Sequence, residues 1–179
     1  MENRKTAVHS LPLWLLTAAW MILIFCFSAQ NGEGSSSLSG GIVQWLIGIF
    51  IPGFPEMDAD TQAALTGVLG RVVRKAAHVG EYAVLGVLTS LAVRSHRAAG
   101  WRVVVIPAVI CLLYAVGDEF HQWFVPGRTA AAGDVFIDFA GALAGIGLTM
   151  LILLVRRRRI AGKHGRSSAS MQNTNTARR

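Results

Sequence analysis

The chain has 179 residues, of which 53% are hydrophobic and only 15% are charged. A soluble domain carries roughly 25% charged residues, so this composition excludes an ordinary water-facing surface. The formal net charge of +7 does not indicate nucleic-acid binding, because eight of the seventeen basic residues lie in the tail from Arg156 onward. Since the apolar residues fall in long uninterrupted runs, the sequence predicts an all-α, polytopic membrane helical bundle.

The first apolar run, residues 11–29, follows a short N-terminal segment of residues 1–10 and contains no charged residue. About 20 helical residues cross a hydrocarbon core of ~30 Å, so the run is long enough to be a transmembrane helix. A cleaved signal peptide is the alternative, because Arg4 and Lys5 precede the run. The run is long for such a peptide and no small-residue cleavage site closes it, which favours a retained span.

The segment 42–51 (IVQWLIGIFI) is strongly apolar but short, and it lies between Gly40-Gly41 and Pro52-Gly53. At the α-helical rise this apolar core is too short to cross the hydrocarbon core. The segment therefore predicts a short interfacial or re-entrant helix in the first outer loop.

Three further runs have the length of a membrane span: residues 76–93, 101–117 and 135–155. The last run contains Gly141 and Gly145, whose small-xxx-small spacing lets helix backbones approach closely. Residues 156–179 are basic, and from Lys163 onward they are rich in Ser, Asn and Thr without periodicity. This composition predicts a disordered cytoplasmic tail.

The distribution of basic residues indicates four spans. With four spans and a cytoplasmic N-terminus, thirteen of the seventeen basic residues lie on the cytoplasmic side, in agreement with the positive-inside rule. A fifth span at 42–51 would move both the tail and the loop 94–102 to the outside. We therefore expect a multi-pass membrane domain over residues 11–155, with both termini in the cytoplasm.

The polar residues of this domain gather where three helix ends meet on the outer side: the start of the second span, the end of the third and the start of the fourth. Spacings of three and four place them on shared helical faces. All four basic residues expected outside belong to this cluster: Arg71, Arg74, Lys75 and Arg128. Because the second and fourth helices also present their N-termini there, the cluster predicts a site for an anion.

Side-chain chemistry suggests roles for these residues. The acid–base candidates are His78, Asp118, Glu119 and Asp134. The expected ligand-binding residues are Arg71, Lys75, Glu81, Tyr82, Gln122, Arg128 and Asp138. Arg128 ranks first, because it follows the turn-forming pair Pro126-Gly127 and a guanidinium binds phosphate bidentately. The alternative is that the charges form buried ion pairs holding the bundle together, such as Arg128 with Asp134 or Lys75 with Asp118.

Metal-ligand residue types occur in the same cluster. His78 and His121 accompany several carboxylates, a set that would suit Mg²⁺ or Ca²⁺ better than Zn²⁺. These residues show no compact metal-binding spacing, so no metal ligand is predicted, and no cofactor follows from the sequence.

Several motifs recur in chain order: Ser28-x-Gln30, Lys75-x-x-His78-x-x-x-Tyr82, Asp118-Glu119-x-x-Gln122, Pro126-Gly127-Arg128 and Asp134-x-x-x-Asp138-x-x-Gly141-x-x-x-Gly145. As a set they resemble the pattern of the VanZ-like family, which often has Asn at the position of Asp138, and the match covers about residues 11–154. The resemblance implies an integral protein of the bacterial cytoplasmic membrane and cell envelope. The family's namesake is associated with low-level resistance to teicoplanin.

The function hypotheses belong to different classes. In the first, the polar cluster binds, or binds and modifies, an amphiphile with an anionic head, such as a phospholipid or a lipid-linked wall precursor. In the second, the protein is a non-catalytic envelope protein that alters sensitivity to glycopeptide or other amphiphilic antibiotics. A small transporter is a third hypothesis, although the sequence lacks the repeated halves usual in such folds.

Overall fold

The computed structural model describes the backbone of residues 2–29, 32–126 and 131–176, and the side chains of residues 10–29, 40–126 and 131–159. Five α-helices form almost all of the described chain: α1 (Glu2–Ser28), α2 (Gly32–Phe50), α3 (Ala59–Ser95), α4 (Arg102–Gln122) and α5 (Ala132–Thr176). A 3-10 turn at Phe54–Glu56 precedes α3, and the described residues contain no strand. The predicted all-α class is confirmed.

Four helices have the length and apolar composition of a membrane span: Ser10–Ser28, Ala59–Ser95, Arg102–Gln122 and Ala132–Arg159. The predicted number of spans is therefore confirmed, and the chain is a multi-pass membrane protein. Trp101 and Trp123 flank α4, and at the helical rise they are about 33 Å apart. This separation matches a hydrocarbon core of ~30 Å, and Trp is typical of the membrane–water interface.

The third helix, α3, starts much earlier than the predicted span at residue 76. Asp58 caps it, because its carboxylate accepts a hydrogen bond of 2.9 Å from the backbone N–H of Thr61. With 37 residues α3 is about 55 Å long, which exceeds the hydrocarbon thickness. Its first turns therefore extend beyond the core of the membrane.

The short apolar helix predicted at residues 42–51 is part of the longer α2, and its apolar part is Gly40–Phe50. It packs against α3 and buries Val43 and Ile47. Trp45 and Phe50 remain exposed on the opposite side. One apolar face is thus used for packing and another is free for lipid, which suits a helix at the membrane interface.

Contacts between the helices define their directions. Thr89 on α3 meets Cys111 on α4 while Tyr82 meets Tyr114, so these two helices are antiparallel. α1 is antiparallel to α3 and parallel to α4, as three hydrogen-bonded pairs show: Trp14 with His96, Trp20 with Glu81 and Tyr114 with Met21. The ends of α1 and α4 therefore lie beside residues 71–82 of α3. We call this region the polar end.

Small residues bring α3 and α5 into backbone contact. A Cβ atom added at Gly141 or Gly145 would collide with the backbone of Val79 or Ala83, respectively. Conversely, a Cβ atom at Gly86 would collide with the backbone of Ala142. The glycine spacing thus allows the close packing that it predicts. Because the paired residue numbers rise together at Val79–Gly141 and Ala83–Gly145, α3 and α5 run parallel, and the start of α5 lies at the polar end.

The chain divides into two compact units, Met1–Ile146 and Gly147–Arg179. The second unit is the remainder of α5, which continues through the exposed run Arg156–Arg159 to Thr176. The disordered tail predicted from Lys163 onward stays a prediction. Once a helix has formed, each added residue gains one backbone hydrogen bond, so a polar segment can propagate it.

Candidate functional site

A cavity of about 260 Å³ lies at the polar end, between α3, the last turn of α4 and the start of α5. Its lining consists of Arg71, Arg74, Lys75, His78, Glu119, Gln122, Ala131, Asp134, Ile137 and Asp138. Seven of the eleven predicted site residues are in this set. Glu81, Tyr82 and Asp118 do not line the cavity, and Arg128 lies outside the described residues.

Lys75 and Asp134 form an ion pair at the level where α5 begins. Both side chains are partly accessible, with 50% and 32% of their surfaces exposed. The predicted pairing of Lys75 with Asp118 is therefore not the one observed. Because α3 and α5 run parallel, Lys75 reaches the first turn of α5, whereas Asp118 lies one helical turn deeper along α4 than Gln122.

His78 lies one turn deeper than Lys75 and is mostly buried. Its Nδ1 atom is 3.8 Å from Oδ1 of Asp138 and 4.0 Å from Oε2 of Glu81. Both separations are longer than a hydrogen bond. His78 is therefore placed between two carboxylates without forming a close ion pair with either.

Asp118 is buried, with only 4% of its surface exposed. Its Oδ2 atom accepts a hydrogen bond of 3.3 Å from Gln122 Nε2, which also donates to Ser28 Oγ at 2.7 Å. Its Oδ1 atom makes no hydrogen bond of standard geometry within the described part of the chain. Gln122 thus joins the end of α1 to Asp118.

Tyr82 is completely buried beside these acids and does not line the cavity. Its phenol oxygen makes no hydrogen bond of standard geometry within the described residues, and its ring packs 6.1 Å from that of Tyr114. The predicted ligand-binding residue is therefore placed behind the cavity. From there it can orient the two carboxylates.

Glu119 has a contact that the sequence did not indicate. Its Oε1 atom accepts a hydrogen bond of 2.5 Å from the backbone N–H of Ala131, just before α5 begins. This hydrogen bond connects the end of α4 to the start of α5, so Glu119 stabilises the wall of the cavity.

Arg128, the residue that the sequence favoured most as a ligand of the anion, lies outside the described residues.

Arg74 also lines the cavity; the sequence placed it in the basic cluster but not among the expected ligand-binding residues. The sequence did contain a signal for it, because Arg74 and His78 are four residues apart on one helical face.

A second difference from the sequence-based expectation concerns the helix dipoles. Since α3 begins at Ala59, its N-terminus is about three turns from Arg71, and the dipole acts only within the first turn. Among the described residues that line this cavity, those at the start of α5 supply the helix N-terminus.

Three residues of the polar end have the geometry of a possible metal site. One ligand atom each from His78, Asp118 and Asp138 lies within 4.8 Å of the others. The three residues belong to three different helices, so no spacing along the chain could have revealed them. This explains why the sequence showed no compact metal-binding motif.

The VanZ/LLP1 family model matches residues 13–154, which include every described residue of the cavity. No curated protein and no solved structure shows a significant match to the chain. The family match confirms the resemblance carried by the motifs of α3, α4 and α5. This chain belongs to the VanZ-like family of membrane proteins.

Proposed function

We propose that this protein binds an amphiphile with an anionic head, a phospholipid or a lipid-linked wall precursor, at the outer face of the bacterial cytoplasmic membrane. The observation that carries the proposal is the composition of the cavity wall. Arg71, Arg74 and Lys75 line one side, and the N-terminus of α5 at Ala132 lies on another. Basic side chains and a helix N-terminus together favour a phosphate or carboxylate group.

The surroundings of the cavity favour a ligand that also has an apolar part. Phe136 is 74% exposed beside the cavity-lining Ile137, and Trp123 and Phe124 are exposed after α4. Val72 is exposed next to Arg71 on α3. An acyl or isoprenoid chain would contact these side chains while its head occupies the cavity, so a wholly polar ligand would leave much of the binding surface unused.

The expected orientation places the cavity on the outer side. The basic residues of the opposite end, Arg94, Arg97 and Arg102, lie in or beside the short connection from α3 to α4, where the positive-inside rule favours the cytoplasm. The cavity would then face the leaflet in which wall precursors and outer-leaflet phospholipids are found.

Lipid binding to the purified chain tests this proposal. Dioleoyl phosphatidylglycerol and dioleoyl phosphatidylcholine would be titrated separately and bound lipid counted by native mass spectrometry. We expect preferential binding of the anionic lipid. Lys75→Met should weaken it at least about tenfold, because a hydrogen bond to a charged group contributes roughly 1.5–3 kcal/mol and each 1.4 kcal/mol is a factor of ten.

Arg102→Gln is the matched control, since it removes an exposed basic residue at the opposite end of α4. Its phosphatidylglycerol affinity should equal that of the wild type. Equal affinity for the two lipids, or the same loss in Lys75→Met and Arg102→Gln, would show that the basic wall of the cavity is not the binding site.

A further inference from the structure

His78, Asp118 and Asp138 form a triad of side chains from three helices, one turn deeper than the Lys75–Asp134 pair. Their ligand atoms all lie within 4.8 Å of one another. Two ligands about 2.1 Å from a shared cation are ~3.0 to ~4.2 Å apart, depending on the coordination angle. The 3.8 Å from His78 Nδ1 to Asp138 Oδ1 falls within that range and is too long for a direct hydrogen bond.

The two carboxylates of this triad are buried, and among the described residues no lysine or arginine is paired with either. Asp118 is 4% exposed and Asp138 is 3% exposed. In residues 10–29, 40–126 and 131–159, neither forms an ion pair with a lysine or arginine. Asp118 Oδ1 also makes no hydrogen bond of standard geometry there. Carboxylates inside a membrane bundle are costly unless a positive charge or a proton neutralises them.

We propose that His78, Asp118 and Asp138 bind a divalent cation of the Mg²⁺ or Mn²⁺ class at the floor of the cavity. Two carboxylates and one imidazole supply three ligands, and oxygen donors predominate, as these cations prefer. The buried Tyr82 phenol oxygen makes no hydrogen bond of standard geometry within the described residues, so it is available to donate to a ligating carboxylate. From a separation of 4.8 Å, a pair of ligand atoms on opposite sides of the ion would close by about 0.6 Å, and neighbouring ligands at ~3.0 Å would close by more.

In the proposed function, the cation would help to bind the lipid head. This role of the cation rests on the proposed lipid binding. His78 and Asp138 both line the cavity, so the open coordination positions of the ion would face the bound head. Mg²⁺ is commonly held by one or two carboxylates together with phosphate oxygens of a ligand. The basic side chains of Arg71, Arg74 and Lys75 and the cation would then contact the same phosphate from two sides.

Titration of the full-length chain with Mn²⁺ tests the site without any lipid. The protein would be purified in neutral detergent, and free Mn²⁺ followed by electron paramagnetic resonance. We expect one saturable ion per chain, an affinity at least about tenfold lower in Asp118→Asn, and no saturable binding in Asp118→Asn/Asp138→Asn. Asp60→Asn, which changes an exposed acid in the first turn of α3, should bind like the wild type.

Thermal unfolding of the wild type gives a second readout that does not depend on a variant folding. Mn²⁺ should raise its unfolding temperature, because a ligand that binds only the folded state stabilises it. The competing arrangement is a proton that neutralises the two carboxylates. It predicts that the unfolding temperature of the wild type does not change with Mn²⁺.

Absence of saturable Mn²⁺ binding, or equal affinity in Asp118→Asn and the wild type, would overturn the cation site. Phosphatidylglycerol binding in the presence of a chelator separates this inference from the proposed function. Binding that weakens on chelation and recovers with Mn²⁺ supports the bridging role. Unchanged binding refutes that role and leaves lipid binding by the basic wall intact.

Discussion

At the residue scale, Gln122 links two helices at the polar end through its side-chain amide. Its side-chain amide donates to both Ser28 Oγ and Asp118 Oδ2, and it is buried. Gln122→Met keeps a similar side-chain volume but leaves both oxygens without this donor. Leaving buried polar atoms unsatisfied costs about 1–3 kcal/mol, so the variant should unfold at lower temperature or lower denaturant concentration.

Gln44→Met is the matched control for this loss, because Gln44 is exposed on α2. Its unfolding midpoint should stay close to that of the wild type. If the two variants are equally stable, the Gln122 amide does not hold Ser28 and Asp118 together, and the positioning of Asp118 would need another cause.

The Lys75–Asp134 pair allows ligand binding and stability to be separated. Because both side chains are partly exposed, the pair should contribute only about 0.2–1 kcal/mol to folding. A double-mutant cycle with Lys75→Met and Asp134→Asn, followed by thermal unfolding, should give a coupling energy in that range. A coupling of several kcal/mol would instead support the alternative in which these charges mainly hold the bundle together.

The identity of ion-pair partners could not be predicted from the sequence at this scale. Helical spacing placed Lys75, His78 and Asp138 on packing faces, and the structure does bring them to one cavity. Which acid meets which base depends on the rotation and depth of each helix, and those are set by packing. Hence the pairing of Lys75 with Asp134 instead of Asp118 appeared only in the structure.

At the scale of the helices, the contact between α3 and α5 depends on Gly145. Gly145→Ala would place a methyl group against the backbone of Ala83, where no flexible side chain can move aside. Overpacking of this kind costs about 1–3 kcal/mol or more, so the variant should lose thermal stability. It should also displace Asp138 from His78 and weaken Mn²⁺ binding.

Gly147→Ala is its control on the same helix, since nothing lies within 4 Å of a Cβ added there. Replacing an open helical glycine by alanine should be neutral or stabilising by up to about 1 kcal/mol. Equal destabilisation by the two substitutions would mean that the close approach of α3 and α5 is not what Gly145 provides.

At this scale the sequence predicts which segments form helices more accurately than it predicts where each helix begins and ends. Apolar run length identified four spans, and the spacing of Gly141 and Gly145 indicated a packing face. The start of α3 was missed because hydropathy reports the apolar segment, whereas the Asp58 cap and a good helix-forming sequence determine where the helix begins. The same limitation applies to α5, which extends beyond its apolar part.

At the scale of the whole molecule, the proposed topology places the start of α3 outside and the α3–α4 connection in the cytoplasm. Asp60→Cys and Ser95→Cys would be introduced separately after replacing Cys26 and Cys111 by alanine. In intact cells a membrane-impermeant maleimide should label Cys at position 60 and not at position 95. Permeabilised cells should allow labelling at both positions, and the reverse pattern in intact cells would invert the proposed topology.

A structure determined in a bilayer containing phosphatidylglycerol tests the central claim most directly, namely that the cavity holds an anionic lipid head. We expect phosphate density between the basic wall formed by Arg71, Arg74 and Lys75 and the start of α5, with acyl-chain density along Phe136. A cavity of the same shape filled only by water, or lipid heads bound elsewhere while the cavity remains free of them, would contradict the account.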